Sequence, residues 1–208
     1  MTHGKPLWLK IFSLCGIAAP IGAFTCIFLA ILLYPQFSWT DNALSDLGII
    51  EGATSTLFNT GLILGGILTG MFGLGLFALL EKKTLGKIGA ILFIFDAAAL
   101  TAIGIFPENA RPMHFYASLA FFTLCPIAMF LVGGSFLLIG KARRGTFTLL
   151  AAAFAAAVWI AQFSIRYVPH VAIPETLSAL SASAWSTLLG YKMFKESATQ
   201  HHTMEPDR

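Results

Sequence analysis

The sequence predicts an all-α polytopic membrane protein: a bundle of six transmembrane helices, N-in and C-in, with a short amphipathic helix in the first outer loop. Three observations predict it. Hydrophobic residues make up 57% of the 208 residues and charged residues 11%, with a mean hydropathy of +0.79, whereas a soluble domain carries about 25% charge. Six apolar segments, at about 11–34, 55–80, 88–106, 113–140, 146–166 and 172–192, reach the roughly 20 residues that a helix needs to cross about 30 Å of hydrocarbon. Eleven of the 13 basic residues, Lys5, Lys10, Lys82, Lys83, Lys87, Lys141, Arg143, Arg144, Lys192, Lys195 and Arg208, fall on one side of those crossings. Only Arg111 and Arg166 fall on the other, and short basic loops stay in the cytoplasm. Removing or adding a crossing would scatter the basic loops over both faces. A single membrane domain over 1–208 in the cell membrane is therefore expected.

The first apolar run, 11–34, is too long for the core of a cleaved signal and has no small-x-small site at its end, so it reads as the first crossing. The connection after it, from Pro35 to Gly48, contains Thr40 as a cap, Asp41 as the first residue of a two-turn helix and Gly48 as its end, with Leu44 and Leu47 on one side. This helix is expected to lie on the bilayer surface, with Trp39 at headgroup level. The second crossing carries a rib of Gly61, Gly65, Gly66, Gly70, Gly73 and Gly75, which lets another helix approach closely. Its partner is expected within the chain, the alanine run 151–157 of the fifth crossing offering a matching face; homo-oligomerisation through the rib is the alternative. Cys15, Cys26 and Cys125 lie in apolar segments without metal-site spacing. Dispersed basic residues argue against nucleic acid as a partner, and His201 and His202 read as part of a solvated polar tail.

Polar residues collect on the outer side. Asp41, Asp46, Glu51, Asn59, Glu108, Arg111, His114, Arg166, His170 and Glu175 all fall at outer helix ends or in outer turns. Glu175, Ser178 and Ser181 or Ala182 follow one another along one helical face. His114 begins a helix directly after Pro112, where exposed backbone amides disfavour an imidazolium, so a neutral ring is expected. Asp96 stands apart, about 12 Å into the third crossing, where a carboxyl is costly and a functional candidate by default.

The segments FSWTDNALSDLG, STLFNTG, GIFPENARPMHFYASLAFF and AIPETLSALSASAW together resemble a family of small prokaryotic membrane proteins, the domain-of-unknown-function family numbered 998. That family is distantly similar to the Frag1, DRAM and Sfk1 group of six-helix proteins, several associated with lipid handling. The resemblance implies a fold and no reaction, and marks Ser45, Asp46, Asn59, Pro107, His114, Pro174 and Glu175.

Three functions fit this pattern. The first is a non-enzymatic membrane module whose outer pocket, formed by Asp46, Asn59, Glu108, Arg111, His114, Arg166 and Glu175, binds a lipid headgroup or small polar ligand. Arg111 and Arg166 would recognise its phosphate or carboxylate. The second is a hydrolase in which His114, His170 and a carboxylate, Asp46 or Glu175, hold zinc. The third is a proton-coupled transporter with Asp96 as relay. The first needs the fewest assumptions, and membrane lipids are the expected surroundings of all three.

Overall fold

The computed structural model describes residues 7–80 and 83–202, with side chains as far as residue 197. Lys5, Lys82, Arg208 and the side chains of His201 and His202 lie outside the described residues. Those described form α1 (Leu7–Leu32), a 3-10 helix (Leu44–Ile49), α2 (Ala53–Leu79), α3 (Thr84–Ile105), α4 (Met113–Leu138), α5 (Ala142–Ile165) and α6 (Ala172–His202), with no strand among them. Five helices, α1 to α5, are long and apolar enough to cross a membrane. Helix α6 is the longest, at 31 residues, and its apolar run is interrupted by Glu175, Ser178, Ser181, Ser183 and Ser186.

Helices α1, α3 and α5 begin about a turn earlier than their apolar segments, and α6 runs beyond its own. Hydropathy marks only the apolar part of a helix, whereas Lys and Arg are good helix formers that extend it as polar turns. Lys10, Lys87, Arg143, Arg144 and Lys195 all sit on such turns. The Arg144 guanidinium pairs with Glu196 there and ties α5 to α6.

Each helix packs on its neighbours in sequence, and α6 returns to α1, closing a ring. The glycine rib of α2 is used on two sides. Gly61 and Gly65 admit Cys26 and Ala23 of α1, while Gly66 and Gly73 admit Thr101 and Ile94 of α3. The alanine run of α5 is not its counterpart. It lies between α4 and α6, where Ala152 and Ala155 are buried and the Ser181 hydroxyl donates to the Ala151 carbonyl at 2.9 Å.

Two apolar cores result. One fills the basic end and centres on Phe72, Phe93 and Trp185, whose rings meet edge to face at centroid distances of 5.1–6.1 Å. The Trp185 indole N–H donates to Thr148 at 2.9 Å, so the polar atom of this buried ring is satisfied. The second core fills the opposite, acidic end with Ile27, Leu44, Leu47, Phe58, Leu62, Ile103, Ala117 and Ala172. The outer faces are apolar too: Phe95, Leu150 and Phe163 are 61%, 65% and 79% exposed. Such a surface suits a hydrocarbon surrounding and not water.

The connection between α1 and α2 differs from expectation. Residues 38–42 form a closed turn and not a helical start: Asn42 Oδ1 accepts the Ser38 N–H at 2.9 Å, and the Ser38 and Thr40 hydroxyls both donate to the Asp41 carboxylate. Thr40 is thereby diverted from capping. The helix that follows starts at Leu44 and is 3-10, and Asp46 reaches back to accept the Ala43 N–H at 3.0 Å and the Asn42 amide at 2.8 Å. It does not lie on a surface, because Leu44 and Leu47 are buried in the acidic-end core.

The rib gives an internal comparison. A Cβ at Gly66 would fall 2.2 Å from Thr101 Oγ1 and 2.8 Å from the Ala97 carbonyl oxygen, whereas one at Gly70 meets only Ala97 Cβ at 3.7 Å. Gly66→Ala is expected to cost about 1–3 kcal/mol as α2 and α3 are forced apart, and Gly70→Ala nothing measurable. Thermal melting of the purified protein in detergent checks this, and equal midpoints would show that the two helices pack elsewhere.

Candidate functional site

The acidic end is built on contacts between segments far apart in sequence. The Thr40 and Asn42 carbonyls accept the His170 and Ala172 N–H groups at 3.2 and 3.0 Å, binding the first connection to the start of α6. One turn on, the buried Glu175 carboxylate accepts the Leu44 N–H at 2.6 Å. Asn59 Nδ2 donates to the Gly48 carbonyl at 3.0 Å, fixing the other end of the 3-10 helix to α2.

Glu108 is the hub of a second group. One carboxylate oxygen pairs with Arg111 at 2.7 Å; the other lies 2.9 Å from His114 Nε2 and accepts the Ser45 hydroxyl at 3.1 Å. His114 Nδ1 is 2.8 Å from the Phe106 carbonyl oxygen. A carbonyl only accepts, so Nδ1 carries a proton and Nε2 faces Glu108. The free lone pair expected of this ring is therefore not available: Nε2 is engaged by the Glu108 carboxylate, with the Ser118 hydroxyl at 3.3 Å beside it.

Beneath these groups, between the two cores, lies a chamber of about 120 Å³. Helices α1, α2, α3, α4 and α6 line it, and Leu44 and Ser45 of the 3-10 helix roof it. The walls are apolar, with Phe24, Phe58, Phe93, Phe121 and Phe122 prominent, and two acids face it. Glu175 is near the roof. Asp96, midway along α3 and 1% exposed, is deeper, with the Cys125 thiol beside it. A smaller hollow shares Phe121, Phe122, Cys125, Ala179 and Ala182 and extends toward α5.

The expected site residues therefore divide. Glu175 and Asp96 reach the chamber; Glu108 and His114 stand behind its wall through Ser45 and Ser118. Asp46 and Asn59 hold the roof helix. Arg111 is exposed and engaged by Glu108. Arg166 is exposed in a left-handed conformation, φ 45°, that ends α5, and neither arginine is on the chamber wall. His170 faces Asp41 on the exterior, away from His114, and among the described residues no three His, Cys, Asp or Glu side chains gather as metal ligands would.

A family model described as a protein of unknown function, DUF998, matches residues 17–192. The chain belongs to the DUF998 family. The match takes in every wall of the chamber, the roof helix and all four segments that carried the resemblance. No curated protein and no solved structure matches the chain.

Three residues of this DUF998 chain were missed by sequence reasoning. Ser118 carries a signal, since it lies one turn after His114. Gln162 shapes the turn after α5 by donating to the Val168 carbonyl at 2.9 Å. Cys125 meets Asp96 only because α3 and α4 pack together, and no spacing within either helix foretells that.

Replacing Glu175 by Leu leaves the Leu44 N–H buried without an acceptor, at a cost of about 1–3 kcal/mol. Glu175→Gln keeps an amide oxygen in place and is expected to cost clearly less; the two melting temperatures decide, and a larger loss in the Gln variant would contradict the contact. On the exterior, hydrogen bonds from Ser38 and then Thr40, aided by nearby His170, hold Asp41 below the usual carboxylate range. Its contribution to stability is therefore present above the ordinary carboxylate pKa and lost as pH falls through the lowered value. Carboxyl NMR is expected to show this titration moving up in Ser38→Ala.

Proposed function

We propose that the chain is a cell-membrane protein of six crossings, with both termini in the cytoplasm, that binds a small polar or amphiphilic ligand in its roofed chamber without converting it chemically. The observation that carries this reading is the chamber itself, an apolar void between two packed cores with two acids on its wall. A void without a ligand forfeits side-chain contacts that a tighter core would keep. The roof is held by a set of hydrogen bonds far more specific than closing a bundle requires.

Counting α6 as the sixth crossing puts Lys10, Lys83, Lys87, Lys141, Arg143, Arg144, Lys192 and Lys195 on one side, which is then cytoplasmic. The roof and the Glu108 group then face outward, and a ligand enters from the outer leaflet or the exterior. The contact between Ser118 and His114 does not favour an enzyme, because the ring nitrogen facing the hydroxyl is the one that faces Glu108. One observation favours a second reading, proton-coupled transport: Asp96 and Glu175 face the same chamber at different depths. Proton uptake into liposomes abolished by Asp96→Asn would support it, and unchanged uptake would dismiss it.

The binding reading is tested by filling the chamber. Protein extracted in a mild detergent is expected to carry a small bound molecule visible by native mass spectrometry, and Ala179→Phe, which projects a ring into the void, is expected to lose it while keeping its melting temperature within a few degrees. Retention of the same molecule by a folded Ala179→Phe protein would place it elsewhere.

A further inference from the structure

We infer that the chamber is a site for a small organic cation, an amine or quaternary ammonium, with Asp96 as its anchor; this rests on the reading of the chamber as a ligand site. Among the described residues that line it, the ionisable groups are the acids Asp96 and Glu175 and the Cys125 thiol, and no Lys, Arg or His is present. Asp96 Oδ1 is buried and has no hydrogen-bond partner among the described residues. The wall hydroxyls do not supply one. Ser45 donates to Glu108 at 3.1 Å and Ser186 to the Ser183 carbonyl at 3.1 Å, and Ser118 sits against His114.

A carboxylate with only the Cys125 thiol beside it is costly in an apolar span, and a cation beside its open Oδ1 removes much of that cost. The rest of the wall suits the same partner. Phe24, Phe93, Phe121 and Phe122 surround the space, and aromatic ring faces attract ammonium groups, most strongly where water is excluded. At about 120 Å³ the chamber has room for roughly four waters at about 30 Å³ each, the size of an ammonium group with a short alkyl chain. An anion is disfavoured here: the two arginines at this end, Arg111 and Arg166, are exposed and off the chamber wall.

Butylammonium, butyrate and butanol share a chain length and differ in charge, so they separate a cation site from an apolar one. Titrated onto the purified full-length protein at neutral pH, with calorimetry and thermal melting as readouts, butylammonium is expected to bind at least tenfold more tightly than butanol, and butyrate not at all. Asp96→Asn is expected to remove the preference for the ammonium while butanol binding persists, and Asp96→Glu to retain part of it. If Asp96→Asn does not fold, the comparison of the three compounds on the unaltered protein decides alone. Equal binding of butanol and butylammonium, or a preference that survives in folded Asp96→Asn, would overturn the cation inference and leave the chamber reading standing. Binding of none of the three, together with a bound molecule that Ala179→Phe does not displace, would overturn both.

Discussion

The 2.6 Å hydrogen bond from the Leu44 amide to the Glu175 carboxylate is the contact on which the acidic end depends. It joins positions 131 residues apart and holds irregular backbone inside an apolar bundle, where exposed N–H and C=O groups have no water to turn to. With Leu44 fixed, Leu47 seals the acidic-end core, Ser45 reaches Glu108, and Asp46 closes the turn from within. Without it, the Leu44 N–H is buried without an acceptor, and the roof rests on the Asn59, His170 and Ala172 contacts and on the burial of Leu44 and Leu47.

The carboxyl groups of Asp46 and Glu108 both lie near that of Glu175. The structure manages this by giving each a different partner. Glu108 has Arg111 and His114, Asp46 has the Asn42 amide and the Ala43 N–H, and Glu175 has one backbone amide. Asp96 lies apart from this group, beside a thiol in the middle of the bundle. Charge compensation thus declines from the rim toward the interior, and it is at the least compensated positions that the wall meets empty space.

Much of this was legible in the sequence. The apolar segments locate the helices because hydrocarbon imposes a minimum length, and loop charges give their alternation, but neither reports how far a helix continues as polar turns; α6 is the clearest instance. The acidic end was readable as a collection of polar residues at helix ends, and Glu175 and Asp96, singled out there for separate roles, both line the chamber. The cap was misassigned because Thr40 and Asp41 satisfy capping preference equally well as a closed turn, and only the burial of Leu44 and Leu47 makes the later start the better one. The chamber itself has no sequence signature. It exists because Ala19, Ala23, Gly65, Ala179 and Ala182, each an ordinary small residue for packing, face one space from different helices.

Two prolines lie at this level of the bundle, Pro20 on the chamber wall and Pro126 on the adjoining hollow. Each withholds one helical hydrogen bond, from the carbonyl of Gly16 in α1 and of Phe122 in α4. The void thins side-chain contact in the same layer. The bundle is thus two packed cores, one around Trp185 and one around Leu47, joined through a more thinly bonded waist. That waist, where both backbone hydrogen bonding and side-chain contact are thinned, is also where Asp96 sits.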